Sequence, residues 1–314
     1  MTVSAPASSD DERASLSRLY ETAWWADARR IVAFVRAYVD DLPAQASLIG
    51  LDGLNGGTAE TRRVAELLDP APGVLLLDLG CGLGGPARVI AAERRCRVDA
   101  LDPSAVQVRE AQALSEYTGS SERVRFAQGG FRAIRTDGRY DGAYAIESLV
   151  HEPDKAGALQ ALRDALRPHA RLVIADYVER RPSPPLRALF PSGYHPWSPS
   201  RRGFAAAGLH VVACEDRSAE LARAYASFAE LFGDETPSAQ AIADGREWWQ
   251  DGAPAERVAT RAAGFARFLA TGGSASRALL GDGRDNVLRF CRAQAAACRA
   301  GDVAYRIVVA ERTS

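Results

Sequence analysis

Val74-Leu75-Leu76-Leu77-Asp78 is an unbroken apolar run that halts at a cluster of glycines, Gly80, Gly82, Gly84 and Gly85. A continuous run, rather than an alternating one, is what a strand buried on both faces requires. Glycines at its end permit a sharp turn and let backbone approach a ligand closely. Gly80, Gly82 and Gly85 also satisfy GxGxxG, a spacing that carries meaning only where a strand passes directly into a helix. The order strand, glycine turn, helix predicts an α/β protein with its ligand site at the carboxyl end of that strand.

The following segments repeat the alternation. Gly85 to about Arg94 reads as a helix and Arg97 to Asp102 as a strand. Ser104 is placed to cap a helix that runs to Tyr117. Val124–Ala127 and Tyr140–Ile146 read as strands, and a helix from Asp154 to Leu166 leads through Arg167-Pro168 into the strand Arg171–Asp176. Five βα repeats with short connections predict a doubly wound parallel sheet with helices on both faces. The proline-rich segment Arg180–Ser200 is expected to be a loop. Leu209–Cys214 and Tyr305–Ala310 read as two more strands. The stretch between them is helical by its apolar spacing, as in Leu221/Tyr225/Phe228/Leu231, and too long for a hairpin connection. Upstream, Leu16, Tyr20, Trp24, Ile31, Phe34, Val35 and Tyr38 recur at helical spacing. Thr58 is expected to cap a short helix that ends at Leu68, before Asp69-Pro70. The expected organisation is a disordered lead over 1–13 and an N-terminal helical cap segment over 14–70. An α/β core follows over 71–214 and 302–314, with a helical cap that contacts substrate inserted over 215–301.

The chain's 314 residues carry 39 basic and 40 acidic side chains, a formal net charge of −1. That balance argues against nucleic acid as a partner. No apolar run approaches the ~20 residues that cross a bilayer, and residues 1–13 lack the apolar core of a signal peptide. Five widely spaced cysteines without a CxxC pair disfavour disulfides and a metal site, and fit a reduced cytoplasmic setting. A small-molecule partner is expected, with a homodimer left open. Lys155 is the single lysine, which reads as compositional bias.

Two ligand classes compete for the glycine loop: a nicotinamide or flavin dinucleotide, and S-adenosylmethionine. Asp102 ends the second strand about 20 positions after Gly80, where a carboxylate meets ribose hydroxyls in either case. Asp78, inside the first strand's terminus, would repel a pyrophosphate but could accept from an ammonium. The long helical stretch before the loop and the closing strand pair also favour S-adenosylmethionine.

From Asp78 through Leu79-Gly80-Cys81-Gly82-Leu83-Gly84-Gly85-Pro86-Ala87 to Arg88, the chain resembles the first motif of class I S-adenosylmethionine-dependent methyltransferases. The likeness is greatest to the small-molecule branch with sterol, tocopherol, glycine/sarcosine and natural-product sugar enzymes. It continues through Gly56-Gly57-Thr58, Leu101-Asp102-Pro103-Ser104, Ile146-Glu147-Ser148-Leu149, Leu166-Arg167-Pro168, Val173-Ile174-Ala175-Asp176-Tyr177 and Ile307-Val308-Val309-Ala310. It covers residues 50–178 well and the last ten acceptably. The resemblance implies a Rossmann-like seven-stranded sheet, with N-terminal helices and a helical cap before the last strand. Gly80, Cys81, Gly82 and Gly84 would contour the methionine part of the cofactor, with Asp78 near its amino group. Asp102 and Gln107 would meet the ribose, and Pro103 and Ile146 would flank the nucleoside. The family's usual Gly-Asp after the third strand is replaced by Gly129-Gly130-Phe131. The adenine carboxylate is missing, so Gly130 and Phe131 would approach the ring instead. His169-Ala170 replaces the usual Gly-Gly turn.

A sulfonium carries a good leaving group, so alignment of the nucleophile and exclusion of water are the main requirements. A general base is needed where the nucleophile bears a proton. His151 and Glu147, after the fourth strand, are the catalytic candidates; imidazole's ordinary pKa near ~6.5 suits proton removal. Their bland alternatives are a helix-start residue for His151 and backbone hydrogen bonding for Glu147. Asp176 could orient substrate or His151, and His195 could belong to a lid. His169 and His210 are expected to be structural, and Cys291 and Cys298 to lie in the core. Trp24-Trp25 and Trp248-Trp249 either staple cap helices or line an apolar pocket. The expected function is methylation at O, N or C of a small, largely apolar metabolite of secondary metabolism. A non-methylating, cyclase-like descendant and an NAD(P)-dependent oxidoreductase are the alternatives.

Overall fold

The computed structural model describes residues 28–38, 57–189, 198–251, 255–271 and 273–313. The strands are β1 (Leu75–Leu79), β2 (Arg97–Asp102), β3 (Val124–Gln128), β4 (Tyr140–Ile146), β5 (Leu166–Glu179), β6 (Leu209–Asp216) and β7 (Val303–Arg312). They form one seven-stranded sheet in the order β3-β2-β1-β4-β5-β7-β6. The strands β1 to β5 pair in parallel, and β7 lies antiparallel between β5 and β6. Strand order reverses between β1 and β4, and a ligand crevice opens above such a switch point at the carboxyl ends of the strands.

The helices before the antiparallel pair are α1 (Ala28–Tyr38), α2 (Thr58–Leu68), α3 (Gly85–Glu93), α4 (Ala105–Tyr117), α5 (Lys155–Ala165), α6 (Pro184–Leu189) and α7 (Arg201–Ala206). Between β6 and β7 come α8 (Ser218–Leu231), α9 (Ala239–Gln250), α10 (Val258–Thr271), α11 (Gly273–Leu280) and α12 (Arg284–Ala300). Alternate residues of each strand serve opposite faces. Leu76, Val98, Tyr144, Val173 and Ala175 pack with α1 to α4 and with the helices after β6. Leu77, Leu79, Ala143, Ala145, Leu172 and Ile174 pack with α5 and Phe204 of α7. Both faces of the central strands are therefore buried, which explains the continuous apolar run of β1.

Local chemistry sets the element ends. The Ser104 hydroxyl accepts from the Gln107 amide and the Asp154 carboxylate from the Gly157 amide, each capping a helix start. Gly301, in the left-handed region at φ 72°, closes α12. Two expectations need correction. Thr58 is the first helical residue rather than the cap, because Gly57 (φ 80°) occupies the capping position without a side chain to donate or accept. The segment 180–200 is not all loop, since α6 begins at Pro184-Pro185; proline is tolerated in a helix's first turn, where its missing N–H has no partner to lose.

The register places the helical segment. Asp216, the last residue of β6, pairs with Arg306, and Val303, the first of β7, pairs with Glu179 near the end of β5. Residues 218–300 therefore leave and re-enter the sheet at its carboxyl edge. Trp249 of α9 is buried, with its ring 4.9 Å from Phe268 and 6.0 Å from Phe34. It staples α1 to α9 and α10. No described helix is long and apolar enough to cross a membrane. The expected lead over 1–13, Trp24-Trp25 and His195 lie outside the described residues.

Candidate active site

The glycine loop is clamped onto the neighbouring strand. The Gly80 and Cys81 amides both donate to the Leu101 carbonyl, at 2.8 and 3.1 Å, and the Gly84 amide returns to the Cys81 carbonyl at 2.8 Å. All three odd turns, at Gly80, Gly82 and Gly84, lie at positive φ. Their missing side chains do different things. A Cβ on Gly80 would lie 2.2 Å from the Ser148 Cβ, and one on Gly84 would lie 2.4 Å from the Phe126 ring. Those two glycines make room for protein. A Cβ on Gly82 would meet nothing within 4 Å, so this glycine keeps space open.

Three buried polar side chains surround that loop. Asp102 accepts from the Gly82 and Ser104 amides, each at 2.9 Å. Burial pushes its carboxyl up to about 6 against the pull of those two amides. Asp78 is fully enclosed, and burial pushes it up to about 8; the Tyr144 hydroxyl opposes the shift and the charge of Asp102 adds to it. Its Oδ2 has no hydrogen-bond partner, and neither has Oε1 of buried Gln107. The Cys81 thiol is driven far up by burial, first of all, and by Asp102 and Asp78, which removes it as a nucleophile. Pro103 is exposed, and Phe131 and Gly130 are half-buried at the short turn after β3. A Cβ on Gly130 would also meet open space. Ile146 is half-buried against the core.

At the end of β4 the chain bends sharply. Glu147 sits at φ 52°, a left-handed conformation that a non-glycine residue adopts at a cost, and its amide donates to the Ala175 carbonyl at 2.8 Å. Burial pushes its carboxyl up to about 7, while the Tyr177 and Tyr225 hydroxyls work against that rise. The Tyr225 hydroxyl donates to Oε2 at 2.9 Å and lies 2.8 Å from the Tyr177 hydroxyl. The next turn, Leu149–His151, ends in half-buried His151. Asp176 holds this turn by accepting from the Val150 amide at 2.8 Å, and it also accepts from its neighbour Tyr177 at 2.7 Å. It thus reaches His151 through backbone. Burial lowers the proton affinity of the Lys155 amine to about 8 although Asp176 and Glu152 favour its charge, and the amine donates to the Glu152 carbonyl.

The structure therefore gathers Asp78, Gly82, Asp102 and Gln107 around one loop, with Glu147 and His151 on the adjoining strand end. Ser148, packed against Gly80, joins the two groups and donates to the Leu79 carbonyl at 2.6 Å. Tyr144, Tyr177, Tyr225 and Tyr305 are not site candidates from sequence; the available signal is a hydroxyl-bearing ring at a position where the strand or helix pattern demands a core residue. His169 and His210 are exposed and lie in no site, whereas Cys291 and Cys298 are buried on α12.

The family described as a methyltransferase domain matches residues 76–169, from β1 into β5. An O-methyltransferase of Aspergillus sclerotiorum is 39% identical over 117 residues, 37% of this chain and 44% of that protein. A sterol 24-C-methyltransferase of Gibberella zeae is 39% identical over 98 residues, 31% of this chain and 26% of that protein. The chain spans less than half the length of either relative. The geranyl diphosphate C-methyltransferase of Streptomyces coelicolor has the same fold: TM-score 0.59 over 99% of this chain and 100% of that one, at 16% identity. Residues 76–169 thus match a methyltransferase domain, and the sheet order with the glycine loop at its switch point is the fold of that solved structure.

Proposed function

We propose that this chain transfers a methyl group from S-adenosylmethionine to an oxygen, nitrogen or carbon atom of a small, largely apolar metabolite. The observation that carries the reading is in the glycine loop. Gly82 leaves open space there, and two buried acceptors of the same region, Asp78 Oδ2 and Gln107 Oε1, lack partners. Buried acceptors without donors cost free energy that a complementary ligand removes. An ammonium and ribose hydroxyls are such donors, so the residues present fit the cofactor. Asp78 would hold the ammonium, and Asp102 and Gln107 the ribose. Gly80, Cys81, Gly82 and Gly84 would border the methionine part, with Pro103, Gly130, Phe131 and Ile146 around the nucleoside. When bound, the cofactor supplies an electrophilic methyl group on a sulfonium.

The chain's own residues then align the acceptor and keep water out. Glu147 lies among rings, with Tyr177 and Tyr305 5.3 Å apart and Tyr225 and Phe290 5.5 Å apart, which favours an apolar or cation-forming substrate at this end. Glu147 and His151 are the acid–base groups for a substrate that must lose a proton, with Asp176 fixing the turn that carries His151. Residues 215–301 would form the cap over that substrate. Calorimetric titration with S-adenosylmethionine and, separately, with NADPH tests the reading. Binding of the first and not the second is expected; the opposite result would replace it with an oxidoreductase. Release of S-adenosylhomocysteine on incubation with substrate distinguishes methyl transfer from a cyclase-like use of the same fold.

A further inference from the structure

We propose that Tyr225, supplied by the helical segment between β6 and β7, is a positioning residue for Glu147. With Tyr177 it ties down one oxygen of the carboxyl group and leaves the other as the end that takes up a proton.

The geometry is directional. A tyrosine hydroxyl has one proton, and that of Tyr225 is given to Glu147 Oε2 at 2.9 Å. The Tyr177 hydroxyl, 2.8 Å from that of Tyr225, must then donate to it, so the chain runs from Tyr177 through Tyr225 to the carboxylate. At Oε1 there is no well-formed hydrogen bond and no contact with solvent. The buried Tyr305 hydroxyl, which faces the same carboxyl group, is likewise unmatched. A proton placed on Oε1 would give Tyr305 a donor and leave the bond at Oε2 intact. The carboxyl can change protonation state without stranding either tyrosine of the chain.

Asp176 of β5 and the buried thiols Cys291 and Cys298 of α12 also bear on Glu147. The four groups are drawn from positions 147, 177, 225 and 305, so the helical segment completes the acid–base group as well as covering it. This inference rests on the methyltransferase reading only for what the proton is used for.

The test follows Glu147 directly in the ligand-free chain, by carbon NMR of labelled glutamate carboxyls, with Glu147→Gln to assign the signal. Tyr225→Phe should raise the titration midpoint by about one pH unit, since the ionised form loses a charge-assisted donor. Tyr177→Phe should move it in the same direction and serves as the second variant if the first does not fold. A midpoint unmoved in a folded Tyr225→Phe or Tyr177→Phe variant would overturn the proposal. S-adenosylmethionine is then added as a probe. If it fails to bind while the tyrosine shifts stand, the methyltransferase reading falls and this one survives. If it binds while the shifts are absent, only this one falls.

Discussion

Asp102 and Glu147 stand at the same edge of one sheet but are held by different kinds of donor. Asp102 is gripped by two backbone amides from residues close to it in the fold, Gly82 and Ser104, whose directions are fixed by the glycine loop and the start of α4. Glu147 is held by a hydroxyl that rotates, Tyr225 of α8, backed by that of Tyr177 of β5. Fixed amides suit a group that must present the same face to a ligand every time. Rotatable hydroxyls suit one that must change its protonation state. The β1–β2 end reads as the place that holds, and the β4–β5 end as the place that reacts.

Gly82→Val tests the holding end most severely. It puts a branched side chain at φ 53° into the space the loop keeps open, and S-adenosylmethionine affinity should fall more than about 100-fold by calorimetry. Near-normal affinity would remove the loop from the site. Asp78 sharpens the contrast through pH. Its carboxyl, raised to about 8, is largely protonated at neutral pH, and an incoming ammonium favours the ionised form. Binding below pH 8 should thus release a proton, and affinity should climb from pH 6 to 8 by up to about tenfold per unit. Calorimetry in buffers of different ionisation enthalpy measures that proton, and Asp78→Asn should abolish it. At the reacting end, Glu147→Gln should weaken S-adenosylmethionine by about 3- to 10-fold at pH 8 and leave neutral S-adenosylhomocysteine nearly unchanged. Equal losses for both would place Glu147 away from the sulfonium. The smallest effect is remote from both ends: His169→Gly relieves an exposed left-handed residue (φ 65°) and should stabilise the fold by about 1 kcal/mol in denaturant melts, without altering ligand affinity.

The same contrast explains what could be read from sequence. The holding end is local: a strand, four glycines, a capping serine and Asp102 announce themselves within about one βα unit. The sheet followed from it, because the apolar runs of β1 and β4 and the alternating βα order leave few topologies. Even His169 occupies a turn whose left-handed backbone suits glycine, as the resemblance implied. The tyrosine cluster had no such signature. Tyr177 and Tyr305 sit in strands and Tyr225 in a helical stripe, where an aromatic residue reads as packing. Only the register that brings β5, β7 and α8 together shows that three hydroxyls converge on one carboxylate. For Trp249 the sequence left stapling and pocket lining both open, and its neighbours in space, Phe268 and Phe34, decide for stapling.

Lys155 begins α5 next to the turn that carries His151, and it is the sole lysine in 314 residues. Apart from the chain's terminal amine, a reagent that acylates amines would find one side chain to mark, and burial draws its proton affinity down to about 8. A fluorophore attached there would sit beside the turn that carries His151.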